Sequence, residues 1–248
     1  MARRLGSLGF ELILVSNRSA ELTATAREIA TAHGVRVHTI VADLARPEAA
    51  DEVHRQVRAQ DLTVDILISN AGMFFFGEAV DADPERANAL LQLHVVTPSL
   101  LCARFGREMR KRGRGHILIV SSISAWRDFP GISYYGASKK YLRGFARALR
   151  SELAIHGVKV TCLSPGPTAT NLYDGKNVPV ERARRLGLMM DPAKVAEAGL
   201  AAMFSGRAEC IPGLTARAMV WFSMLVPQWV IDVVRRHAPW LPKGGAAP

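Results

Sequence analysis

The sequence predicts an α/β fold, a doubly wound parallel sheet with helices on both faces. Short apolar runs of about six residues alternate with longer amphipathic stretches, and this alternation is typical of strand–helix–strand units. The runs lack polar alternation, as expected for strands that are buried on both faces. The length of 248 residues and the 49% hydrophobic content suit one domain with a large core.

The elements follow from this alternation in chain order. Strands are predicted at the apolar runs, and a last strand is predicted more weakly because its run is short. Helices are predicted at the amphipathic stretches between them. The predicted strands are 11–16, 35–42, 64–69, 115–121, 158–164 and 208–212, and the predicted helices are 20–33, 47–59, 84–111, 134–156 and 192–205.

The charge pattern argues against nucleic acid as a partner. The net charge is +10 and the pI is about 10.1, which suits anionic cofactors, acyl thioesters, lipids or nucleic acid. The basic residues of helix 84–111 lie opposite an apolar face, so a solvated outer face explains them. No aromatic residues interleave with them as in a nucleic-acid surface. The basic residues are Arg104, Arg107, Lys111 and Arg114, and the apolar ones are Leu100, Leu101, Phe105 and Met109.

The cysteines indicate a reducing compartment. Cys102, Cys162 and Cys210 are odd in number and show no Cys-x-x-Cys spacing, and Cys162 lies inside an apolar strand. They are interpreted as buried thiols of a cytoplasmic protein, without a metal or disulfide role. The N-terminus shows no secretory signal pattern.

A tyrosine and a lysine stand four residues apart on a predicted helix. Tyr135 and Lys139 share one helix face at this spacing, and a neighbouring cation favours the phenolate form of a tyrosine. Ser122 follows the apolar run GHILIV and could hold a carbonyl oxygen. A lone Tyr-x-x-x-Lys is a weak motif, and by itself it is better explained by a helix with an aromatic anchor and a solvated lysine.

Two further motifs lie where strands end. Asn70-Ala71-Gly72 follows the third strand, and Pro165-Gly166-Pro167-Thr168-Ala169-Thr170 follows the fifth. In identity, order and spacing, these motifs together with Ser122, Tyr135 and Lys139 resemble the short-chain dehydrogenase/reductase family from residue 2 to about residue 212. The resemblance implies a Rossmann-type fold and hydride transfer from NADH or NADPH. It also implies that Ser122 and Tyr135 hold the substrate carbonyl, while Lys139 tunes the tyrosine and binds the nicotinamide ribose.

The resemblance also places the cofactor. Asn70, Ala71 and Gly72 would line it, as would Pro165, Gly166, Thr168 and Thr170. Ser16-Asn17-Arg18 at the end of the first predicted strand contains no acid that could bind the ribose of NAD. Arg18 is therefore the candidate for the 2′-phosphate of NADP, and NADPH is favoured over NADH. Asp43 matches a position that contacts adenine, although capping of the next turn would also explain it.

One family feature is absent from the sequence. The family opens with a strand and a T-G-x-x-x-G-x-G turn that receives the pyrophosphate, whereas this sequence begins with residues typical of the helix after that turn. The missing strand would be the central one. We therefore expect an N-terminal truncation, from a misassigned start codon or a fragment, rather than a natural protein without that strand. The opposing functional class is a non-catalytic fragment or binding protein without a competent cofactor pocket.

His94 departs from the family pattern. It stands in Leu-Gln-Leu-His-Val-Val, where the family usually has an asparagine that anchors a water linking the lysine to solvent. A neutral imidazole offers one donor and one acceptor and could serve the same proton relay. Simple loss of the water site is the equal alternative, so His94 is a provisional catalytic residue.

The resemblance implies that substrate selection lies in two segments, residues 170–190 and a C-terminal apolar extension, residues 213–248. The extension is interrupted by Arg217, Pro227 and Asp232, which argues against a membrane span. We expect it to form a lid, pack on the core or build a subunit interface, with a membrane-surface role ranked second. Nearby loop aromatics favour a small hydrophobic ketone or secondary alcohol as substrate, and the resemblance implies a homodimer or homotetramer. These aromatics are Phe74, Phe75, Phe76, Trp126 and Phe129.

Overall fold

All predicted strands are present in the computed structural model, which describes residues 1–170, 172 and 189–237. The first five strands form at apolar runs, and all the strands pair in parallel with their neighbours. This confirms the α/β Rossmann-type fold. The strands are β1 (Leu12–Ser16), β2 (Val37–Val41), β3 (Ile66–Ser69), β4 (Gly115–Val120), β5 (Val158–Leu163) and β6 (Glu209–Cys210).

The helices cover both faces of the sheet. Successive residues of β4 alternate between the two hydrophobic cores, with Ile117 in one and Leu118 in the other, because strand side chains alternate in direction. Helices α3, α5 and α6 supply the first core, and α1, α2 and α7 supply the second. The helices are α1 (Ala2–Ser7), α2 (Ser19–His33), α3 (Ala49–Ala59), α4 (Pro84–Leu91), α5 (Thr97–Arg112), α6 (Ser133–Ala154), α7 (Pro192–Phe204), α8 (Leu214–Leu225) and α9 (Gln228–His237).

The sheet is divided in two within the described residues. Strands β1 and β2 form one pair, and β3, β4, β5 and β6 form a second sheet in that order. No ladder joins β1 to β3, and all four residues of β3 are only half-buried. A parallel sheet covered on both faces normally buries such central residues fully. The division lies between β1 and β3, at the position of the central strand that the sequence lacks.

The long helix predicted at 84–111 is interrupted. Helix α4 ends at Leu91, residues Gln92–Val96 form a π-helical turn, and α5 continues from Thr97. The whole stretch from Pro84 to Arg112 is apolar and long enough to cross a membrane. Phe105 and Met109 nevertheless lie fully in the core against the sheet, as expected for a core helix.

The described part of the C-terminal extension does not pack most of its large apolar side chains on the core. It forms α8 and α9, which are bent by 102° relative to each other. Among the described residues of this segment, only Ala216 and Val220 are buried, while most of the large apolar side chains are exposed. The expectation that these side chains pack on the core is therefore wrong. The part of the extension beyond residue 237 lies outside the described residues.

Candidate functional site

A cavity of about 1030 Å³ opens at the carboxyl ends of the strands, where ligands bind in open α/β sheets. Loops after β1, β2, β3, β4 and β5 contribute to its wall, together with the start of α6. The structure brings every predicted site residue to this one cavity. These residues are Arg18, Asp43, Asn70, Ala71, Gly72, His94, Ser122, Tyr135, Lys139, Pro165, Gly166, Thr168 and Thr170.

Tyr135 and Lys139 lie one turn apart on α6, and both side chains are buried. The Lys139 Nζ lies 5.6 Å from the centroid of the Tyr135 ring and donates a hydrogen bond of 3.2 Å to the Val120 carbonyl. Burial lowers the pKa of Lys139 to about 8, a shift that the neighbouring Cys162 partly opposes. At neutral pH the ammonium form still predominates, so a positive charge stands beside the phenol.

Ser122 is positioned by the turn that follows β4. Its Oγ accepts a hydrogen bond of 3.1 Å from the Ser124 backbone N–H and so caps the 3₁₀ turn Ile123–Ala125. Because Ser122 acts there as an acceptor, its hydroxyl proton remains for another partner. Ser122 can therefore donate to an oxygen bound in the cavity.

The Tyr135 ring is held by two aromatic neighbours. Phe74 meets it edge-to-face at a centroid distance of 4.9 Å, and His94 does so at 5.8 Å. Such contacts restrict the ring orientation. The phenol is thus directed by packing as well as by its place on α6.

His94 is fully buried, and both of its ring nitrogens are engaged by protein groups. Its Nε2 accepts from the Met73 backbone N–H at 3.0 Å, so Nδ1 carries the proton. That proton faces the Ser138 Oγ at 2.9 Å, and Ser138 in turn donates to the Tyr135 carbonyl at 2.8 Å. Burial, with a smaller effect of the Lys139 charge, lowers the pKa of His94 to about 2.

This geometry argues against the proton relay considered for His94. A relay needs a ring nitrogen that is free for water, and both nitrogens already have partners within the protein. His94 instead joins the loop after β3 to the first turns of α6. We therefore interpret it as a positioning residue.

Gly72 allows this loop to approach the site closely. A Cβ atom at this position would lie 3.0 Å from the His94 Nε2 and 3.7 Å from the Lys139 Nζ. The first distance is shorter than an ordinary van der Waals contact. A larger residue at position 72 would therefore displace the imidazole.

Arg18 and Asp43 stand at the end of the cavity formed by β1 and β2. Arg18 is exposed, and its Nη1 lies 3.1 Å from Glu21 on the first turn of α2. Asp43 accepts a hydrogen bond of 3.1 Å from the Ala45 backbone N–H, as the turn-capping alternative requires. That bond leaves the second carboxylate oxygen for a ligand.

The loop after β5 is fixed by backbone contacts. Pro165 accepts at 3.0 Å from the Ile123 N–H, next to Ser122, and Thr168 donates at 2.9 Å to the Gly166 carbonyl. These bonds hold the loop beside Ser122. Of the predicted selectivity segment 170–190, residues 171 and 173–188 lie outside the described residues.

Two of the five loop aromatics line the main cavity, and the other three have different surroundings. Phe74 and Phe129 line the main cavity. Phe75 packs on Tyr134, and Phe76 lies against Gly131. Trp126, however, lines a separate cleft beside α8 and does not line the main cavity. The prediction that Trp126 lies at the substrate site is therefore wrong.

Sequence reasoning missed Ser138, which links His94 to Tyr135. Its position three residues after Tyr135 on one helix face was the available signal. Among the described residues, no group of three or more potential metal-ligating side chains is present.

Comparisons with known proteins show the family to which the chain belongs. The sequence profile of the short chain dehydrogenases matches residues 1–179. The chain belongs to the short chain dehydrogenase family. Dehydrogenase/reductase SDR family member 4 from Sus scrofa is 33% identical over 172 residues, which cover 69% of this chain and 61% of that protein. The chain thus spans about three fifths of the length of this relative.

Solved structures extend the similarity beyond residue 179. A short-chain dehydrogenase from Sphingobium yanoikuyae in complex with NADPH has a TM-score of 0.80 and 26% identity, covering 99% of this chain and 92% of that one. A metagenomic short-chain oxidoreductase in complex with NADP has a TM-score of 0.70 and 28% identity, covering 86% of this chain and 91% of that one. The fold of the family therefore includes the C-terminal part of the chain.

The cavity of this short chain dehydrogenase suits the two ends of a nicotinamide dinucleotide. The Lys139 ammonium and Tyr135 lie at one end, and the Arg18 guanidinium stands at the other. Ammonium and guanidinium donors match ribose hydroxyls and a phosphate respectively. Between these ends the wall contains no glycine-rich turn, because the 248 residues include none of the form T-G-x-x-x-G-x-G.

Proposed function

We propose that the chain is an NADPH-preferring oxidoreductase that interconverts a hydrophobic ketone and a secondary alcohol. The observation that carries this proposal is the convergence of Ser122, Tyr135 and Lys139 at one end of the cavity. A hydroxyl donor, an acidic phenol and a buried ammonium together supply what carbonyl reduction requires of a protein.

Each of these residues has a separate task. Ser122 donates a hydrogen bond to the carbonyl oxygen and orients it. Tyr135 transfers its phenolic proton to that oxygen as a hydride reaches the carbonyl carbon, so that the alcohol forms and a phenolate remains. The buried Lys139 ammonium stabilises this phenolate until solvent returns a proton.

The cofactor would be held at both ends of the cavity. When bound, its reduced nicotinamide ring supplies the hydride. Lys139 would hold the adjacent ribose, and Arg18 would pair with the 2′-phosphate, which distinguishes NADPH from NADH. The relatives solved with NADPH and NADP support this choice.

The apolar part of the cavity favours a hydrophobic substrate. Ile123, Phe129 and Ile132 lie in its wall close to Ser122 and Tyr135 along the chain. Phe74 also lies in the wall and contacts the Tyr135 ring. Apolar walls with a few converging polar groups are typical of sites for small hydrophobic ligands. We propose a cytoplasmic location, supported by three buried free thiols, and a homo-oligomeric assembly.

The test is a pair of neighbouring tyrosine variants. Tyr135→Phe should keep the affinity for NADPH and lose nearly all turnover of hydrophobic ketones, because the phenol acts on the developing alkoxide. Tyr134→Phe is the matched control, since Tyr134 packs on Phe75 and does not line the cavity. Equal turnover by the two variants would refute the role of Tyr135.

The divided sheet favours one alternative function. Without a β1–β3 ladder or a glycine-rich turn, the chain could retain the site residues as a non-catalytic binding protein. Titration of the 248-residue chain with NADPH, followed by nicotinamide fluorescence, separates the two proposals. Saturable binding with ketone turnover supports the enzyme, whereas failure to bind NADPH supports the alternative.

A further inference from the structure

Helix α8 has an apolar stripe that faces solvent. Its members recur at i, i+4, i+7, i+8 and i+11, which is the spacing of a helix face that a protein normally buries. Trp221, Phe222 and Leu225 are nevertheless 69%, 71% and 78% exposed. The inner face of α8 is small and consists mainly of Ala216 and Val220. The stripe comprises Leu214, Ala218, Trp221, Phe222 and Leu225.

Helix α9 continues this surface and ends in positive charge. Trp229 is 66% exposed, and Val233 lies one turn further along the same face and is also exposed. Arg236 follows on that face at i+7, next to His237 at the end of the helix. The face thus passes from an aromatic ring through an aliphatic residue to a guanidinium.

The two helices are attached to the body of the protein. Arg235 pairs with Glu78 in the loop that follows the phenylalanines 74–76. Ala216 lies against Gly166, where an added Cβ atom would be 3.3 Å from the alanine methyl. The exposed face is therefore held outward by contacts on the opposite side of the helices.

A cleft of about 420 Å³ lies at the edge of this surface. Arg207 and Arg217 stand in its wall with Trp126 and Trp221. Glu209 also lies in the wall, and its carboxylate is paired with Arg143. The indole Nε1 of Trp126 is buried and has no hydrogen-bond partner among the described residues. Two guanidinium groups and an unsatisfied N–H donor suit an anionic oxygen ligand such as a phosphate.

We propose that α8 and α9 form a docking surface for a bilayer with anionic headgroups. The apolar stripe of α8 and Trp229 would enter the boundary between headgroups and acyl chains. The arginines at positions 207, 217 and 236 would meet phosphate groups, and the +10 charge of the chain would attract the surface from a distance. Tryptophan is enriched at this boundary because its ring is apolar and its N–H is polar.

The helices lie along the bilayer rather than across it. Twelve residues of α8 extend about 18 Å, which is well short of the hydrocarbon thickness of about 30 Å. The bend of 102° to α9 prevents the pair from forming one straight span.

Charge favours lipid over a second copy of the chain. Between Leu214 and His237 the segment has three arginines and one acid, Asp232. A two-fold contact would pair this surface with itself and bring its arginines together with Asp232 as the one acidic group of each segment. An anionic bilayer provides the opposite charge.

The experiment measures co-sedimentation of the full 248-residue chain with vesicles. Vesicles of phosphatidylcholine with phosphatidylglycerol should bind the chain, and pure phosphatidylcholine should bind it at least about fivefold more weakly. Trp221→Ser/Phe222→Ser should weaken binding more than about tenfold, because two large apolar side chains are lost. Arg217→Glu/Arg236→Glu should weaken it at least about fivefold and reduce its salt dependence.

Two matched control variants carry the same types of substitution at positions outside α8 and α9. Val80→Ser/Ile155→Ser replaces two highly exposed apolar side chains outside α8 and α9, and Arg27→Glu/Arg107→Glu changes the net charge equally. The first should bind like the parent chain. The second should weaken binding less than Arg217→Glu/Arg236→Glu does, because it lowers only the net charge. Equal binding by Trp221→Ser/Phe222→Ser would overturn the proposal. The proposal would also be overturned if the parent chain did not bind vesicles and formed a dimer in sedimentation velocity, and if Trp221→Ser/Phe222→Ser abolished that dimer.

Discussion

The Nδ1 of His94 lies 2.9 Å from the Ser138 hydroxyl, and this contact connects the loop after β3 with the helix that carries Tyr135. The Ser138 hydroxyl in turn donates a hydrogen bond to the Tyr135 carbonyl. On the opposite side of the imidazole, Nε2 accepts a hydrogen bond from the Met73 N–H. The imidazole therefore holds the loop after β3 and the tyrosine in register, and it must remain neutral to do so.

Acid should weaken this arrangement. The pKa of His94 is about 2 in the folded chain and 6.5 in the unfolded one, so the unfolded chain alone takes up the proton between these values. Stability therefore falls as the pH drops below 6.5, by about 3 kcal/mol at pH 4.5. In urea unfolding, His94→Asn should lose correspondingly less stability between pH 7 and pH 4.5. The exposed His33→Asn should match the parent, and equal acid loss in all three proteins would contradict the prediction.

Lys139 should reduce stability at neutral pH. Its pKa is about 8 when folded and 10.5 when unfolded, so the unfolded chain holds more protons between these values and stability rises with pH across this window. The penalty below pH 8 is about 3 kcal/mol. Lys139→Met should be more stable than the parent at pH 7 by up to this amount, and the gain should disappear by pH 11.

The neighbouring lysine provides the control for this experiment. Lys140 is exposed and pairs with Asp128, so Lys140→Met should show no such pH-dependent gain in urea unfolding. The Lys139→Met protein should also lose ketone turnover. A stability difference that is constant from pH 7 to pH 11 would show that desolvation of Lys139 is not its cause.

Arg18 should determine the choice between the two cofactors. Arg18→Ala should weaken NADPH binding at least about tenfold, because a bidentate guanidinium–phosphate pair is lost, and leave NADH binding unchanged. Arg27→Ala, an exposed arginine on the same helix region, should alter neither. The measurement is fluorescence titration with each cofactor. Equal losses for NADPH and NADH would assign Arg18 a different role.

The divided sheet should be visible in amide hydrogen exchange. Leu12 donates to Arg36 and Ser16 accepts from Ala42, so the backbone groups of Ile13 and Val15 point away from β2 by strand alternation. We expect the Ile13 and Val15 amides to exchange faster than Leu12 and Leu14 in NMR-detected exchange. Uniform protection along β1 would mean that another strand covers this edge.

The strands and the site were predictable for one physical reason. Strands covered on both faces need continuous apolar runs, and such runs end abruptly where polar ligand-binding residues begin. Asn70 and Ser122 could therefore be placed near each other before any coordinates. Tyr135 and Lys139 required only helix periodicity.

The remaining features depend on tertiary contacts that a linear pattern does not encode. The π-helical turn at Gln92–Val96 interrupts a stretch with continuous helical periodicity, so 84–111 was predicted as one helix. The role of His94 depends on which groups meet its two nitrogens. Trp126 was assigned to the wrong cavity because the direction of a loop side chain is set by its packing on Arg143.

The break between β1 and β3 also bears on cooperativity. Residues 12–41 form a unit of β1, α2 and β2, and its backbone ladder lies within the unit. Side-chain packing, for example of Val15 and Leu67 in a shared core, connects this unit to the four-stranded sheet in place of a ladder. Local opening energies follow the contacts that must be broken, so the unit can detach while β3 to β6 stay paired. The adenosine binding proposed for Arg18 and Asp43 would then depend on the docking of this unit. The chemistry proposed for Tyr135 would depend on the larger sheet.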